Sequence, residues 1–475
     1  MPKIYVYLWF DIEDYVTKEA DDSALIFLNV LRRHKVPVTC KLVAEEVRAL
    51  MERGRTDVIF AISECDVGYH SNTHSQHPTV WEYLAELDVT SGSKEFVSRE
   101  NGGVRLLQEV FHKTPSCYGH PGVTWAPQVY PALRRMGIPM YLDETNILNL
   151  NDEPYWYCSM LNLNGAGKNL IYFDYSFEKK DGIVKLKSKF KRIYERLNKS
   201  NGGAVSICLH PHTAVNKITW DVVNFALGSN RTKENYERPP AQPAYVTNRA
   251  YEHFDEFVRY ISSFKNVQWI TARVALQIYG RAEKVSLDRS EAARVAEHFL
   301  SSSEHVKCKH RYLSPAEGFY VVSKCLSNYF DSGNLPVHID VTEPLGPVTS
   351  FKSKGETRLR TQDLLEASKF AIAHMQSENM IPSSLRVGDS AELSPHDFLP
   401  TACKLLTRIL AGKVPKEVAL KKGKRPQLHY MNRVAFEKNC NWSVLPKKFK
   451  APLIFEQACL QAWTLKPATP AELDF

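Results

Sequence analysis

Long apolar runs are missing from this 475-residue chain. No stretch approaches the roughly eighteen consecutive apolar residues that a transmembrane helix needs, so no membrane span is expected. Also missing at the start is the basic stretch, long apolar stretch and small-residue cleavage site of a secretory leader. A strand-like segment and a run of acids come at once instead. The ten cysteines are scattered with no Cys-x-x-Cys pair among them. With no leader, that usage leads us to expect reduced thiols and a cytoplasmic location. Gly165-Ala166-Gly167 is not continued as Gly-x-Gly-x-x-Gly, so no phosphate-binding fingerprint is present.

What is there is ordinary in bulk: 44% apolar and 24% charged residues, as in a globular protein. The length predicts two or three domains. The net charge of +8 is concentrated, because Lys413 to Lys450 holds eleven Lys/Arg against two Asp/Glu. An acidic polymer or nucleic acid is the candidate partner for residues 413–450. No aromatic interleaving accompanies the charge, and a solvated basic surface is the plainer reading.

Along the chain, Ile4 to Phe10 is a β-branched and aromatic run suited to a strand buried on both faces. Leu25, Leu28 and Leu31 mark a helix over 22–33. A strand over 36–43 and a helix over 45–53 come next, and the alternation continues to a late strand over 204–209. A final strand over 267–270 is followed by a helix over 272–279. Such alternation predicts a mostly parallel α/β architecture. Residues 146–200 read as a long polar loop; Tyr155, Trp156 and Tyr157 within it suit packing better than sugar stacking. Arg238 to Pro243 reads as an exposed loop.

Chemistry in such folds gathers where strands end. Asp11, Glu13 and Asp14 follow the first strand. His70 and His74 stand four residues apart, a spacing that puts two imidazoles on one face of a helical turn, within reach of one cation. His210, with His212 beyond Pro211, follows the late strand. A catalytic metal site needs about three protein ligands and one open position. A further carboxylate suits a base, and a histidine across the site suits proton delivery. Helix capping is the competing reading for the acids, and simple packing for His210 and His212.

The order of these motifs resembles the polysaccharide deacetylases, also called the NodB-homology or carbohydrate esterase 4 family. The resemblance rests on Phe10-Asp11-Ile12-Glu13-Asp14, His70-Ser71-Asn72-Thr73-His74, Leu209-His210, and Pro121-Gly122-Val123-Thr124-Trp125-Ala126-Pro127. It implies a distorted (β/α) barrel over 1–281, a divalent metal, often zinc, and removal of acetyl groups from N-acetylated amino sugars. It matches His70 and His74 to the metal ligands, Asp11 to the base and His210 to the general acid. The carboxylate ligand is open between Glu13, at i+2 from Asp11 on the same strand face, and Asp14; Glu13 is preferred. His120, Pro121, Trp125 and His212 are the candidates for the substrate side. One departure stands out. Where the family carries an arginine that orients the catalytic aspartate, this chain has Gly119, with His120 as a candidate replacement. The alternative function is therefore an inactive glycan-binding protein on a deacetylase scaffold. The three intact motifs favour the enzyme, although amidases of cyclic or formyl amides also use related barrels.

Past a boundary near 281–288, helix signals dominate, and residues 288–475 are expected to form a mainly helical domain. Leu313-Ser314-Pro315-Ala316-Glu317 recurs as Leu393-Ser394-Pro395-His396-Asp397. Each places Ser as N-cap, Pro as first helical residue and an acid to close a capping box. Alanine-rich helices precede both, around 292–300 and 364–375, which suggests two degenerate copies of one unit. The pattern weakly resembles pseudomurein-binding repeats, which implies cell-wall glycan as a ligand; a helical accessory domain without that ligand is the plainer reading.

Overall fold

The computed structural model describes residues 2–143, 145–164, 167–200, 202–280, 285–308 and 311–470. Gly165, Ala166 and positions 281–284 of the expected boundary lie outside the described residues.

The first strand, β1 (Ile4–Ile12), is the axis of the N-terminal part. It is buried along nearly its whole length, and its alternate side chains serve two cores. Val6, Leu8 and Phe10 pack outward against helix residues such as Phe27 and Phe254. Tyr7 and Trp9 point the other way, into an interior shared with Leu142, Leu163 and Cys208. Such two-sided burial explains the unbroken apolar run.

Around β1 lie β2 (Thr39–Leu42), β3 (Asp66–Tyr69), β4 (Met140–Asp143), β5 (Tyr155–Tyr157), β6 (Met160–Asn164), β7 (Leu170–Tyr172), β8 (Gly203–Leu209) and β9 (Val267–Ile270). β8 runs parallel to β1 on one side. On the other side, β9 pairs with its first half and β2 with its second half, both parallel. The sheet continues from β2 to β3, then through single bridges at Tyr69–Tyr118 and Tyr118–Tyr141 to β4 and β6. At the far edge β7 joins β8. Helices over Lys18–His34, Val89–Phe111 and Ala244–Ser262 cover the outside. The fold is a distorted (β/α) barrel of nearly all parallel strands, as expected.

The long polar loop expected over 146–200 is not found. That stretch holds β5, β6, β7 and an 18-residue helix, Gly182–Lys199. Ile183, Leu186, Phe190, Ile193 and Leu197 form its buried stripe. The six Lys/Arg spaced between them disguised the helical period in bulk composition.

A second, separate core begins at Leu287 and extends through Val418. It is built as a repeated strand–helix–hairpin–helix–strand unit. In the first copy the terminal strands Ser286–Asp288 and His338–Asp340 pair antiparallel, and in the second Arg358–Arg360 and Glu417–Ala419 do so. Each hairpin leads through the Ser-Pro step into the second helix, Pro315–Ser332 or Pro395–Leu410. The capping box closes only in the first copy, at Ser314 and Glu317. In the second copy Ser394 accepts from the Asp397 N–H, but the shorter Asp397 side chain turns instead to Gly423 N, Ser353 and Lys422.

After this unit the chain returns to the barrel. Phe436, Leu445, Ile454 and Leu465 belong to the barrel's own core, and Lys466–Pro467 pairs antiparallel with β5. Trp463 joins the helical core instead, edge-on to Phe319 at 5.9 Å. Phe319 also touches Phe398 at 5.6 Å, so it joins both repeats to the returning chain. Phe319→Ala is expected to cost about 3–5 kcal/mol of stability, read by calorimetry as a lowered unfolding transition.

Candidate active site

Strand register brings the chemistry-bearing residues to one end of the barrel. Asp11 shares the inward parity of Tyr7 and Trp9, and Lys41 lies beside it in register on β2. His70 follows β3, Asp143 ends β4, Asp174 follows β7, and His210 and His212 follow β8. All of them line one cavity, of about 420 Å³, except Lys41, which lies beneath its floor.

His70 and His74 converge on one carboxylate. Their Nε2 atoms each lie 3.1 Å from Glu13 Oε2. They do not reach it from a helical turn, as the four-residue spacing predicts. The segment is an irregular loop with Ser71 at φ 72° and His74 at φ 58°. Ser71 Oγ accepts the His74 N–H at 3.0 Å and stabilises the left-handed turn that swings the second ring inward.

The outer nitrogens of both rings are committed. His70 Nδ1 lies 3.0 Å from the Gly119 carbonyl, which can only accept, so this nitrogen donates. His74 Nδ1 lies 2.6 Å from Ser75 Oγ, whose own proton goes to Asp221. In the neutral rings both Nε2 lone pairs therefore face a carboxylate. Three acceptors so close require positive charge between them, which fits a divalent cation held by Glu13, His70 and His74. Burial alone would raise the Glu13 carboxyl, but the neighbouring His74 and His70 outweigh it and hold Glu13 well below the usual carboxylate range. Burial would lower His74, yet Glu13 raises it. These residues fit a metal.

Asp14, the other candidate carboxylate, is spent on the turn after β1. It accepts from Val16 N and Thr17 N through one oxygen and from Asn216 Nδ2 through the other. Burial raises its pKa. It joins none of the ligand clusters among the described residues.

Asp11 meets Lys41. The lysine is fully buried, with Nζ 3.0 Å from Asp11 Oδ1 and 2.7 Å from Asp143 Oδ2. Gly119 completes the arrangement, for a Cβ there would lie 2.2 Å from Lys41 Nζ and 2.4 Å from Asp143 Oδ2. The volume that a side chain at 119 would enter is thus occupied by an ammonium arriving from β2. His120 is not the substitute. Its Nδ1 pairs with the Tyr141 hydroxyl at 2.9 Å, and burial pushes the ring down to about 4, hence neutral.

Across the cavity, His210 Nε2 lies 3.4 Å from Asp11 Oδ2, and its Nδ1 lies 2.7 Å from Asp174 Oδ2. Asp174 also accepts the His210 backbone N–H at 2.8 Å. Burial disfavours the imidazolium, but Asp174 outweighs it and lifts His210 well above the ordinary histidine range. His212 is buried beside it, with Nε2 3.5 Å from Glu13 Oε1 and neither ring nitrogen hydrogen-bonded. Pro121 and Trp125 do not line the cavity. Trp125 is a core residue whose indole donates to Tyr130.

No family model and no curated protein matches the chain. Solved structures do. A protein assigned as a polysaccharide deacetylase in Mycobacterium smegmatis is 14% identical, with 58% of this chain and 89% of that one covered and a TM-score of 0.38. One from Pseudomonas aeruginosa PAO1 is 14% identical, with coverages of 58% and 91% and a TM-score of 0.37. The family 4 carbohydrate esterase of Streptomyces lividans is 14% identical, with coverages of 56% and 92% and a TM-score of 0.31. At such identities and scores, the site must be read from this chain's own side chains.

Four charged groups of the site were not singled out from sequence: Asp143, Asp174 and Asp221, which line the cavity, and Lys41, which contacts Asp11 and Asp143. Two carried a signal. Lys41 is a lone charge inside an apolar strand, and Asp174 follows a short apolar run as Asp11 does. Lys41→Met would leave Asp11 and Asp143 buried without their cation. A loss of about 3–5 kcal/mol is expected in chemical denaturation; unchanged stability would show that the two carboxylates do not depend on this ammonium.

Proposed function

We propose that this chain is a metal-dependent hydrolase that removes the acetyl group from an N-acetylated amino sugar. The observation that supports it most is the convergence of Glu13, His70 and His74 directly across from the Asp11–His210 pair. Glu13, His70 and His74 would hold a divalent cation, zinc in the first place. Such a cation polarises the acyl oxygen and makes water nucleophilic near neutral pH.

The chain's own groups move the protons. Asp11, held by Lys41 on one oxygen, presents the other to the cavity and takes a proton from the attacking water. The water oxygen bonds to the acyl carbon. His210, kept as an imidazolium by Asp174, gives its Nε2 proton to the amide nitrogen as the carbon–nitrogen bond breaks. Acetic acid and the amine result, the second water proton leaving on the acid and passing to the amine in solution to give acetate and ammonium; the proton on Asp11 returns to His210 across the 3.4 Å between them. The inactive-homologue reading drew on the absent arginine at 119, and the Lys41 contact to Asp11 supplies a comparable cation from another strand.

Metal analysis of the purified protein, paired with acetate release from a panel of acetylated amino sugars, tests the proposal. Chelation is expected to abolish release and added zinc to restore it. Asp11→Asn and His210→Ala should each lower kcat by about 10²–10⁴-fold. Full activity after chelation, or in Asp11→Asn, would reject the mechanism.

The raised His210 pKa gives a signed pH effect. The acid form exists below that pKa, so activity should fall as pH rises through it, above the ordinary histidine range of about 6.5. Asp174→Asn removes the group that raises it, and the alkaline limb of the kcat profile should shift to lower pH. A limb that stays in place would assign it to another group.

A further inference from the structure

We propose that Trp442, more than 150 residues beyond β9, is a substrate-contacting residue on which the sugar ring lies. This rests on the reading of the site as one for an acylated amino sugar. Trp442 and the adjacent Ser443 line the same cavity as Glu13, His70 and His74. The indole is only partly buried, and it stands edge-on to the His74 ring at 6.3 Å and 77°. Its N–H meets no acceptor among the described residues; the indoles of Trp9 and Trp220 also lack one, but those two are fully buried and cannot reach a ligand.

The ring is held in place by construction on both sides. Gly122 sits at φ 56°, and a Cβ there would come within 2.3 Å of the indole, so the close approach depends on that glycine. On the other side, Leu227 N donates to Ser443 O at 2.9 Å and Gly228 N to Val444 O at 3.0 Å. Val444 is fully buried in a cluster with Tyr15, Trp220 and Phe225. A rigid indole with a free N–H, in a cavity it shares with Tyr172, Tyr175 and the charged groups of the site, suits the face of a pyranose. The apolar C–H face packs on the ring, and the N–H is left for a hydroxyl. The cavity, at about 420 Å³, is at the small end for ligand sites. Substrate recognition therefore depends on the C-terminal return of the chain as well as on the barrel.

The test uses full-length, zinc-loaded protein and N,N′-diacetylchitobiose. Binding is measured by calorimetry in the Asp11→Asn background, where turnover is blocked, and acetate release is measured with Asp11 intact. Trp442→Ala should weaken binding and raise KM by about tenfold, which is about 1.4 kcal/mol. It should leave kcat, zinc content and the unfolding temperature close to wild type. Trp442→Phe, which keeps an aromatic face, should recover most of the affinity. Unchanged affinity and KM in Trp442→Ala would overturn the proposal. So would loss of zinc or of folding in both variants, since that is the mark of a structural role. If wild-type protein releases no acetate but sugar binding still depends on Trp442, the hydrolase reading fails and this inference stands. If acetate is released and Trp442→Ala is unaffected, the reverse holds. Neither binding nor release would overturn both.

Discussion

Lys41 is fully buried between Asp11 and Asp143, and the geometry of the site depends on that contact. Burying three charges in a barrel is costly unless each is matched, and here one ammonium serves two carboxylates. The match constrains its surroundings. Residue 119 must lack a side chain, because the lysine already fills that space. The Gly119 carbonyl then becomes the acceptor that orients His70. A single cation thus positions the Asp11 carboxylate on one side and, through the adjoining backbone, an imidazole on the other.

A second electrostatic requirement lies a few ångströms away. Two imidazoles whose outer nitrogens are committed turn their inner nitrogens toward Glu13. Protons can supply the missing positive charge, which is why His74 rises and Glu13 falls, and a divalent cation supplies it better. The opposite wall is built on the same principle, with Asp174 sustaining positive charge on His210 beside Asp11. Alternating charge across the cavity, rather than any one residue, is what makes the arrangement suited to moving protons.

The chain's path adds something a barrel alone lacks. The helical unit between 287 and 418 has its own core and a duplicated plan, yet the residues after it rejoin the barrel as strand, helix and aromatic wall. Phe319 and Trp463 tie the two cores together. The last stretch of sequence, which reads as the end of an accessory domain, therefore contributes Trp442 to the cavity. Part of the basic stretch, Lys447, Lys448 and Lys450, follows Trp442 in the sequence.

The sequence by itself determined the parallel α/β plan, because two-sided burial of β1 and the helical stripes of the covering helices are local periodicities. It also located Asp11, Glu13, His70, His74 and His210 at strand ends, since those positions follow apolar runs. It misread 146–200, where lysines between the buried positions masked a helix, and it supposed a helical turn where Ser71 and His74 adopt left-handed backbone. Only the tertiary structure gave Glu13 and Asp14 different surroundings: the first faces His70 and His74 in the cavity, and the second is bonded into a turn. Only it paired Lys41 with Asp11, Asp174 with His210 and Trp442 with Gly122. Those pairings join residues up to about 320 positions apart, and no local pattern encodes which distant side chain will neutralise a buried charge or fill the space beside a glycine.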